Sequence, residues 1–251
     1  MQILKLGGSV ITKKFDYMEA DEKNIESLAR MLGENYNPKM ELILVHGAGS
    51  FGHAPVIAHG ISSGVKTKKQ FLGFADTHSS CTYLSNLVVD RLIKNGVPAI
   101  TVPPIVIVRQ NNGKISKFDA STIKELVKKG YVPVLHGDVV LDSKLGGSVC
   151  SGDKIIAHLG KNAKKIILAT NVDGVMADGK LVEKITKKNM KEIERYLKKS
   201  DAPDVTGGMQ GKIKELFGLK KTSYIVNGTK PKRIEEILNG KKTICTEIYI
   251  K

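Results

Sequence analysis

The chain reads as an open three-layer α/β/α sandwich around a mostly parallel central sheet, and three observations carry that reading. Short apolar runs rich in Val, Ile and Leu alternate with segments of helical periodicity along the whole sequence; this is the pattern of strands buried on both faces and joined by crossover helices. Aromatic residues make up only 5% of the chain against 41% hydrophobic residues in all, so the core is aliphatic, as a buried parallel sheet favours. Glycine-containing turns directly follow several of the strands, at the sheet edge where open α/β folds bind ligands. A length of 251 residues is enough to bury one such core. No low-complexity linker and no repeat divides the chain, so a single domain over residues 1–251 is expected.

Taken in order, Ile3-Leu4 centre a short strand (residues 2–6) that ends at Gly7-Gly8. A helix over 21–33 and a strand over 41–46 complete the first βαβ alternation, and the second strand runs into the small-residue loop from Gly47 to Gly52. Helical patterns then continue to about residue 94, followed by a strand near 98–102. Asn111-Asn112-Gly113 between apolar runs predicts a hairpin, because Asn-Gly tolerates the positive φ of a tight turn. Next come a helix over 119–129, a strand over 131–136, and a second hairpin over 138–150 that turns near Leu145-Gly146-Gly147. A helix from Gly152 to about 160 and a strand over 164–169 lead into the last third. That third reads as helices over 187–199 and 209–219, a strand over 223–226, a helix over 231–238 and a final strand over 243–249. Lys5 to Ser9, His46 to His53, His136-Gly137-Asp138 and Asn171 to Gly174 all fall just after strands, so this topology gathers them on one edge of the sheet.

Composition excludes several classes. No run approaches a membrane span, and the start of the chain passes straight into a strand with no secretory pattern, so a soluble cytoplasmic protein is expected. Cys81, Cys150 and Cys245 lack metal or redox spacing and are expected as reduced, structural thiols. The six histidines form no ligand cluster, so no dedicated metal site is expected and any metal would arrive with a ligand. A formal charge of +15 raises the question of nucleic acid. The lysine pairs, from Lys13-Lys14 to Lys241-Lys242, are instead spread along the chain without interleaved aromatics, which suits a solvated surface.

Two segments far apart carry the chemistry. Lys5-Leu6-Gly7-Gly8-Ser9 follows the first strand, where glycines let the backbone turn and aim N–H groups at an anion. Asp204-Val205-Thr206-Gly207-Gly208-Met209-Gln210-Gly211-Lys212 opens a helix, where the dipole favours negative charge, and puts Lys212 one turn inside. Together they read as two halves of a phosphate cradle. Neither matches the P-loop or the dinucleotide fingerprint. Val45 to His53 forms another small-residue loop with an imidazole one turn into the following helix, which suits an acceptor that is itself an anion.

With those motifs in view, the sequence resembles the amino acid kinase superfamily, and within it the archaeal-type isopentenyl phosphate kinase branch. The resemblance runs through Lys5 to Thr12, His46 to His53, Val134 to Asp138, Ser151-Gly152-Asp153, Thr170 to Gly174, Asp204 to Lys212, and Asn227-Gly228, essentially the whole chain. His53, closing His-Gly-x-Gly-x-Phe-Gly-His, points to that branch and to the related fosfomycin kinases. The resemblance implies the amino acid kinase fold, with an acceptor-binding lobe over about 1–163 and a nucleotide-binding lobe over about 164–251. It also implies a homodimer, and transfer of the ATP γ-phosphoryl to isopentenyl phosphate for isoprenoid synthesis, with Mg²⁺ carried by the nucleotide. Such a reaction relies on positioning and charge neutralisation.

Residue by residue, the resemblance assigns Lys5 and Lys212 to the transferred phosphoryl and the ATP phosphates, Lys14 to the transition state, and Asp153 to orienting the lysines. It places Gly47, Gly52, His53 and Gly152 around the acceptor phosphate. Gly7, Gly8, Ser9, Ala48, Asn171, Asp173, Met176 and Gly208 fall on the nucleotide side. Phe71, Phe74, Ala75, Tyr83, Leu84 and Leu87 are the candidate wall for an apolar acceptor tail. The chain departs from the family pattern at Lys13, Ala48, Lys154 and Asn171; the two lysines make the site region more positive and either tighten anion binding or face solvent. Other acceptors compatible with the fold are fosfomycin, a nucleoside monophosphate, carbamate or an amino acid carboxylate. The reading from a different class is a ligand-binding protein without catalysis whose basic surface engages nucleic acid.

Overall fold

The computed structural model describes residues 1–13, 18–199 and 208–249. It opens with β1 (Gln2–Leu6), α1 (Gly8–Ile11), α2 (Glu22–Asn35), β2 (Leu42–His46), α3 (Gly49–Ala58) and α4 (Lys68–Lys94). The middle holds β3 (Ala99–Thr101), α5 (Pro104–Ile107), β4 (Val108–Asn111), β5 (Lys114–Phe118), α6 (Ser121–Lys128), β6 (Val132–His136), β7 (Asp138–Asp142), β8 (Gly146–Cys150) and α7 (Gly152–Leu159). The last third comprises β9 (Lys165–Thr170), β10 (Met176–Ala177), β11 (Lys180–Leu181), β12 (Lys184–Ile185), α8 (Met190–Lys199), α9 (Gly208–Gly218), β13 (Ser223–Asn227), α10 (Pro231–Leu238) and β14 (Thr246–Ile248).

Among the described residues, eight strands form one sheet in the order β12-β14-β13-β9-β1-β2-β6-β3. All its pairs are parallel except β13 with β14. The sandwich expected from the sequence is therefore present. Its layers follow from side-chain alternation along the strands. In β1, Leu4 and Leu6 join the core under α2, α4 and α10, while Ile3 joins the core under α6, α7, α8 and α9. Lys5 thereby faces the second layer, and an ammonium in that position requires a partner.

Local signals explain several helix starts. The Asp21 carboxylate accepts from Asn24 N at 3.0 Å at the head of α2, Thr67 and Gln70 form a capping box at α4, and Pro231 occupies the first turn of α10. The helical pattern read from the small-residue loop to residue 94 is interrupted. Gly60 (φ +62°) and Gly64 (φ +119°) place a turn between α3 and α4, a geometry that side chains resist.

The two predicted hairpins build a second, four-stranded sheet in the order β5-β4-β7-β8. Asn112 (φ +51°) and Gly113 (φ +75°) make the first turn. Buried Asp142 ties both hairpins together, accepting from Asn112 N and Gly113 N at 3.0 and 2.7 Å, from Lys144 N and Leu145 N at 2.9 Å, and from Ser148 Oγ at 2.8 Å. Burial works against its ionisation, but these bonds prevail and hold the carboxyl well below the usual carboxylate range. Sequence periodicity missed the short α1 and α5, the β10–β11 hairpin and β12, because elements of two to four residues have no period to display.

Candidate active site

The β1 strand has β2 on one side and β9 on the other, so the chain leaves the sheet centre in opposite directions and opens a crevice at the strand ends. Register brings Leu6 level with His46 and Ala169, His46 level with His136, and Asn227 level with Thr170. The four segments expected on one edge do converge there.

The Gly7-Gly8 turn and the Gly47 to Gly49 turn interlock backbone against backbone. A Cβ on Gly8 would stand 2.6 Å from both N and Cα of Gly49, and a Cβ on Gly47 would stand 2.5 Å from Gly8 N. Gly49, at φ +52°, has no room either, because Thr12 Oγ1 would lie 2.2 Å from its Cβ. Neither α1 nor α3 is capped by its own N-cap side chain, although Ser50 N in the first turn of α3 donates to Thr12 Oγ1 at 3.4 Å; helix starts left without such a cap suit an anion. Gly137 joins them: a Cβ there would meet Ala48 N at 3.2 Å and Gly152 N at 3.6 Å. Gly152 closes the floor, and its own Cβ would meet Lys5 Cε at 3.4 Å.

Lys5 is only 6% exposed and donates to Asp153 Oδ1 at 2.5 Å. Asp153 occupies the first turn of α7, whose Ser151 hydroxyl accepts from Lys154 N at 3.3 Å. Burial pushes the Lys5 ammonium below the ordinary lysine range; Asp153 opposes that shift and the charge of Lys212 on α9 adds to it. Lys5, Asp153 and Lys212 are thus brought together as expected. Gly208 begins α9, while residues 204–207 of the same motif lie outside the described residues. Lys14 lies outside them too.

His53 is exposed on α3, beside Gly52. A Cβ on Gly52 would stand 2.5 Å from Ala48 Cβ and 3.4 Å from Cys81 Sγ of α4. On the far side of β1, Asn171 is exposed and Met176 lies in the β10–β11 hairpin. Asp173 accepts from Asn227 Nδ2 at 2.8 Å and from Arg233 Nη1 at 2.6 Å. Hydrogen bonds from Asn227 and then Arg233 lower its carboxyl pKa. This carboxylate is thus already committed to protein partners.

The two extra lysines have structural partners. Lys13 pairs with Glu19. Lys154 Nζ donates to Gly113 O and Val149 O, both at 2.8 Å, and so straps the first hairpin turn to the helix that carries Asp153. Its ammonium therefore does not simply face solvent: it is anchored on two backbone carbonyls, while its charge is still felt at Glu215 on α9. The candidate tail wall also divides. Leu84 is buried in the main core, Phe71 and Tyr83 are 60% and 59% exposed, and Phe74 packs in a satellite cluster with Val56, Ile61, Val65, Val139 and Val149.

Comparison with known proteins agrees with this geometry. The amino acid kinase family matches residues 1–226. An isopentenyl phosphate kinase of Methanothermobacter thermautotrophicus is 38% identical over 268 aligned positions, covering 99% of this chain and 98% of its own. That of Methanocaldococcus jannaschii is 36% identical over 252 positions, covering 96% and 95%. A solved X-ray structure of isopentenyl phosphate kinase superposes with a TM-score of 0.82 at 35% identity, covering 99% of each chain. The chain belongs to the amino acid kinase family. Among its relatives it falls with the isopentenyl phosphate kinases.

Within this amino acid kinase site, sequence reading missed Glu215 and the stacking of two histidines that it had placed on the sheet edge. Glu215 lies one turn beyond Lys212 on α9, and its carboxyl is pushed up by burial and by Asp153 against the pull of Lys5, Lys154 and Lys212. The i, i+3 spacing on a helix that carries a motif lysine was the available signal. His46 and His136 stack with ring centroids 5.5 Å apart beneath the glycine turns, each Nδ1 set against the carbonyl of the following glycine at 3.0 and 3.1 Å. Burial holds His46 at about 3, so the imidazole is neutral and acts as a brace. For an amino acid kinase whose phosphate loops interlock this tightly, Gly8→Ala is expected to raise the ATP KM at least about tenfold and to destabilise by about 1–3 kcal/mol through overpacking. Steady-state kinetics beside a thermal melt checks it; an unchanged ATP KM counts against the cradle.

Proposed function

We propose that the protein transfers the γ-phosphoryl group of ATP to the phosphate of isopentenyl phosphate, releasing ADP and isopentenyl diphosphate. The observation that carries this reading is the buried Lys5–Asp153 pair at the crossing of two interlocked glycine turns, with exposed His53 one turn into α3. An acceptor phosphate oxygen forms the new P–O bond as the bond from the γ-phosphorus to its bridging oxygen breaks, and the electron pair leaves with ADP. A phosphate monoester loses its second proton near pH 6, so the acceptor is already an anion and needs no general base. The protein's task is to hold two polyanions in line and to neutralise charge that moves to the leaving oxygens.

The described residues suit those roles. N–H groups of α1 and α3 receive phosphate oxygens, with Gly7, Gly8, Ser9 and Ala48 toward the nucleotide and Gly47, Gly52 and Gly152 toward the acceptor. Lys5 and Lys212 neutralise the transferred group, Asp153 holds Lys5 in place, and His53 donates to the acceptor phosphate. Lys14 is assigned to the transition state on family resemblance. Asn171, Asp173, Met176 and Gly208 frame the nucleotide, in a division of labour between residues 1–163 and 164–251. The described residues contain no cluster of three metal-ligating side chains, and Asp153 and Asp173 are both engaged by cations. A Mg²⁺ ion arriving with ATP would supply charge neutralisation at the nucleotide phosphates without requiring these two carboxylates. Among the described residues no helix is long and apolar enough to cross a membrane. The same family resemblance supports a cytoplasmic homodimer acting in an alternate mevalonate route to isoprenoids.

The test is ATP turnover in the presence of Mg²⁺ with isopentenyl phosphate, fosfomycin and uridine monophosphate side by side. Fast, selective formation of isopentenyl diphosphate is the expected result. Preference for either other acceptor would retain the kinase and displace this substrate.

A further inference from the structure

A buried carboxylate at the start of β7 has no part in the mechanism. Asp138, first residue of β7, has a fully buried side chain, and two groups donate to it: Val139 N at 2.8 Å and His78 Nδ1, 3.1 and 3.0 Å from its two oxygens. His78 on α4 is half-buried at 32% side-chain exposure, and its Nε2 takes no protein partner among the described residues. A carboxylate behind one imidazole nitrogen fixes the ring's orientation, makes that nitrogen the donor and turns the other outward.

Its surroundings place this pair at the acceptor end. Asp138 directly follows Gly137, which packs against Ala48 N and Gly152 N, and pairs across the hairpin with Cys150, two residues before Gly152. Cys81, one turn beyond His78 on the same helix, would meet a Cβ on Gly52 at 3.4 Å and feels the charge of Asp138. Phe74, one turn before His78, packs over Gly147 and Val65 in the satellite apolar cluster. His78 therefore lies on α4 between the glycines of the acceptor phosphate and the apolar cluster suited to its tail.

We infer that His78 is a second imidazole of the acceptor site, donating from Nε2 to the phosphate monoester of the acceptor, with Asp138 as the residue that positions it. This assignment rests on the reading of the acceptor end given above. The bond to Asp138 raises the imidazole pKa against the effect of burial. Of the other titratable groups around the pair, His136 at the end of β6 interacts with His78, while Cys81 on α4 and Cys150 on β8 feel the charge of Asp138. The imidazole is thus biased toward the doubly protonated form that an anion selects.

Two measurements test it. In steady-state kinetics with isopentenyl phosphate, His78→Ala is expected to raise the acceptor KM about tenfold while kcat and the ATP KM stay within about threefold, with Asp138→Asn moving the acceptor KM the same way. In imidazole NMR of the wild-type protein, the His78 resonances are expected to titrate at higher pH when isopentenyl phosphate is present, and at lower pH in Asp138→Asn. An acceptor KM within twofold of wild type, or a His78 imidazole that responds to neither isopentenyl phosphate nor inorganic phosphate, overturns the assignment and leaves the pair as a bolt between α4 and β7. If the variants do not fold, the wild-type titration decides. If the wild type does not turn over isopentenyl phosphate, that reading of substrate fails separately, and the response to inorganic phosphate still decides the role of His78.

Discussion

Asp153→Asn is expected to lower kcat by about 10²–10³ and to make the remaining activity fall with rising pH at a lower pH than in the wild type. The argument starts at Lys5, which is nearly inaccessible and whose ammonium is disfavoured first by burial and then by Lys212. Asp153 is the largest influence in the other direction. Asparagine keeps an oxygen near Nζ but removes the charge, so the Lys5 pKa drops further and the protonated form that neutralises the migrating phosphoryl persists only at lower pH. Stability moves the opposite way. A lysine whose folded-state pKa lies below its unfolded value leaves the unfolded chain binding more protons between the two, so stability rises with pH across that interval. Breaking a buried pair on one side costs about 3–5 kcal/mol, and the retained hydrogen bond places this variant at the lower end. A variant that gains stability with pH while losing activity would distinguish a charge effect at Lys5 from a folding defect, for which both curves would rise together. Near-normal kcat with a flat profile would remove Asp153 from the machinery. The measurement is kcat against pH alongside denaturant melts at the same pH values.

The difference between what the sequence disclosed and what it withheld follows from the range of the interactions. The β1 strand, the glycine turns and the convergence of His46, His136 and Asn171 on one edge were legible, because strand alternation, glycine geometry and α/β topology act over a few residues or through a general rule. Residues 98–102, 111–113 and 138–150 were read as a strand and two hairpins for the same reason, and β3, β4–β5 and β7–β8 occupy them. The partners of individual side chains were not legible. Lys154 looked like surplus charge at an anion site, yet its ammonium is anchored on Gly113 O and Val149 O, the first of them 41 positions away. Asp138 meets His78 across 60 positions, and only the docking of α4 on β7 brings them together. Asp142 carries no motif, although both hairpins depend on its carboxylate. The apolar run in α4 misled in a different way. A long helix presents apolar residues to more than one neighbour, and of the six considered as a tail wall Phe74 reaches the satellite cluster while Leu84 serves the main core.

His53→Ala is expected to reduce kcat/KM for isopentenyl phosphate by at least about 10² while leaving the ATP KM and the melting temperature close to wild type. His53 is exposed and makes no hydrogen bond with the described residues, and exposed substitutions away from such contacts change stability by only about 0.5 kcal/mol. Its position gives it leverage on the reaction. It follows Gly52, which packs between Ala48 and Cys81, and stands one turn inside the helix whose N-terminus is proposed to receive phosphate. On the proposed reading the N–H groups there, fixed by the interlocked turns, hold the anion at its base and the imidazole adds one further donor, worth about 3 kcal/mol at a preorganised site. Glutamine keeps a donor at nearly the same reach without the ring, so His53→Gln should retain more activity than alanine if hydrogen bonding is what His53 contributes. The variant also divides the labour of the two imidazoles. Loss at His53 is expected chiefly in kcat, because its donor follows the acceptor oxygen as the new P–O bond forms. Loss at His78, next to the apolar cluster, is expected chiefly in acceptor KM. Equal effects of both substitutions on kcat would mean that the two rings hold the acceptor as one unit, and wild-type kinetics in His53→Ala would move the acceptor site away from α3.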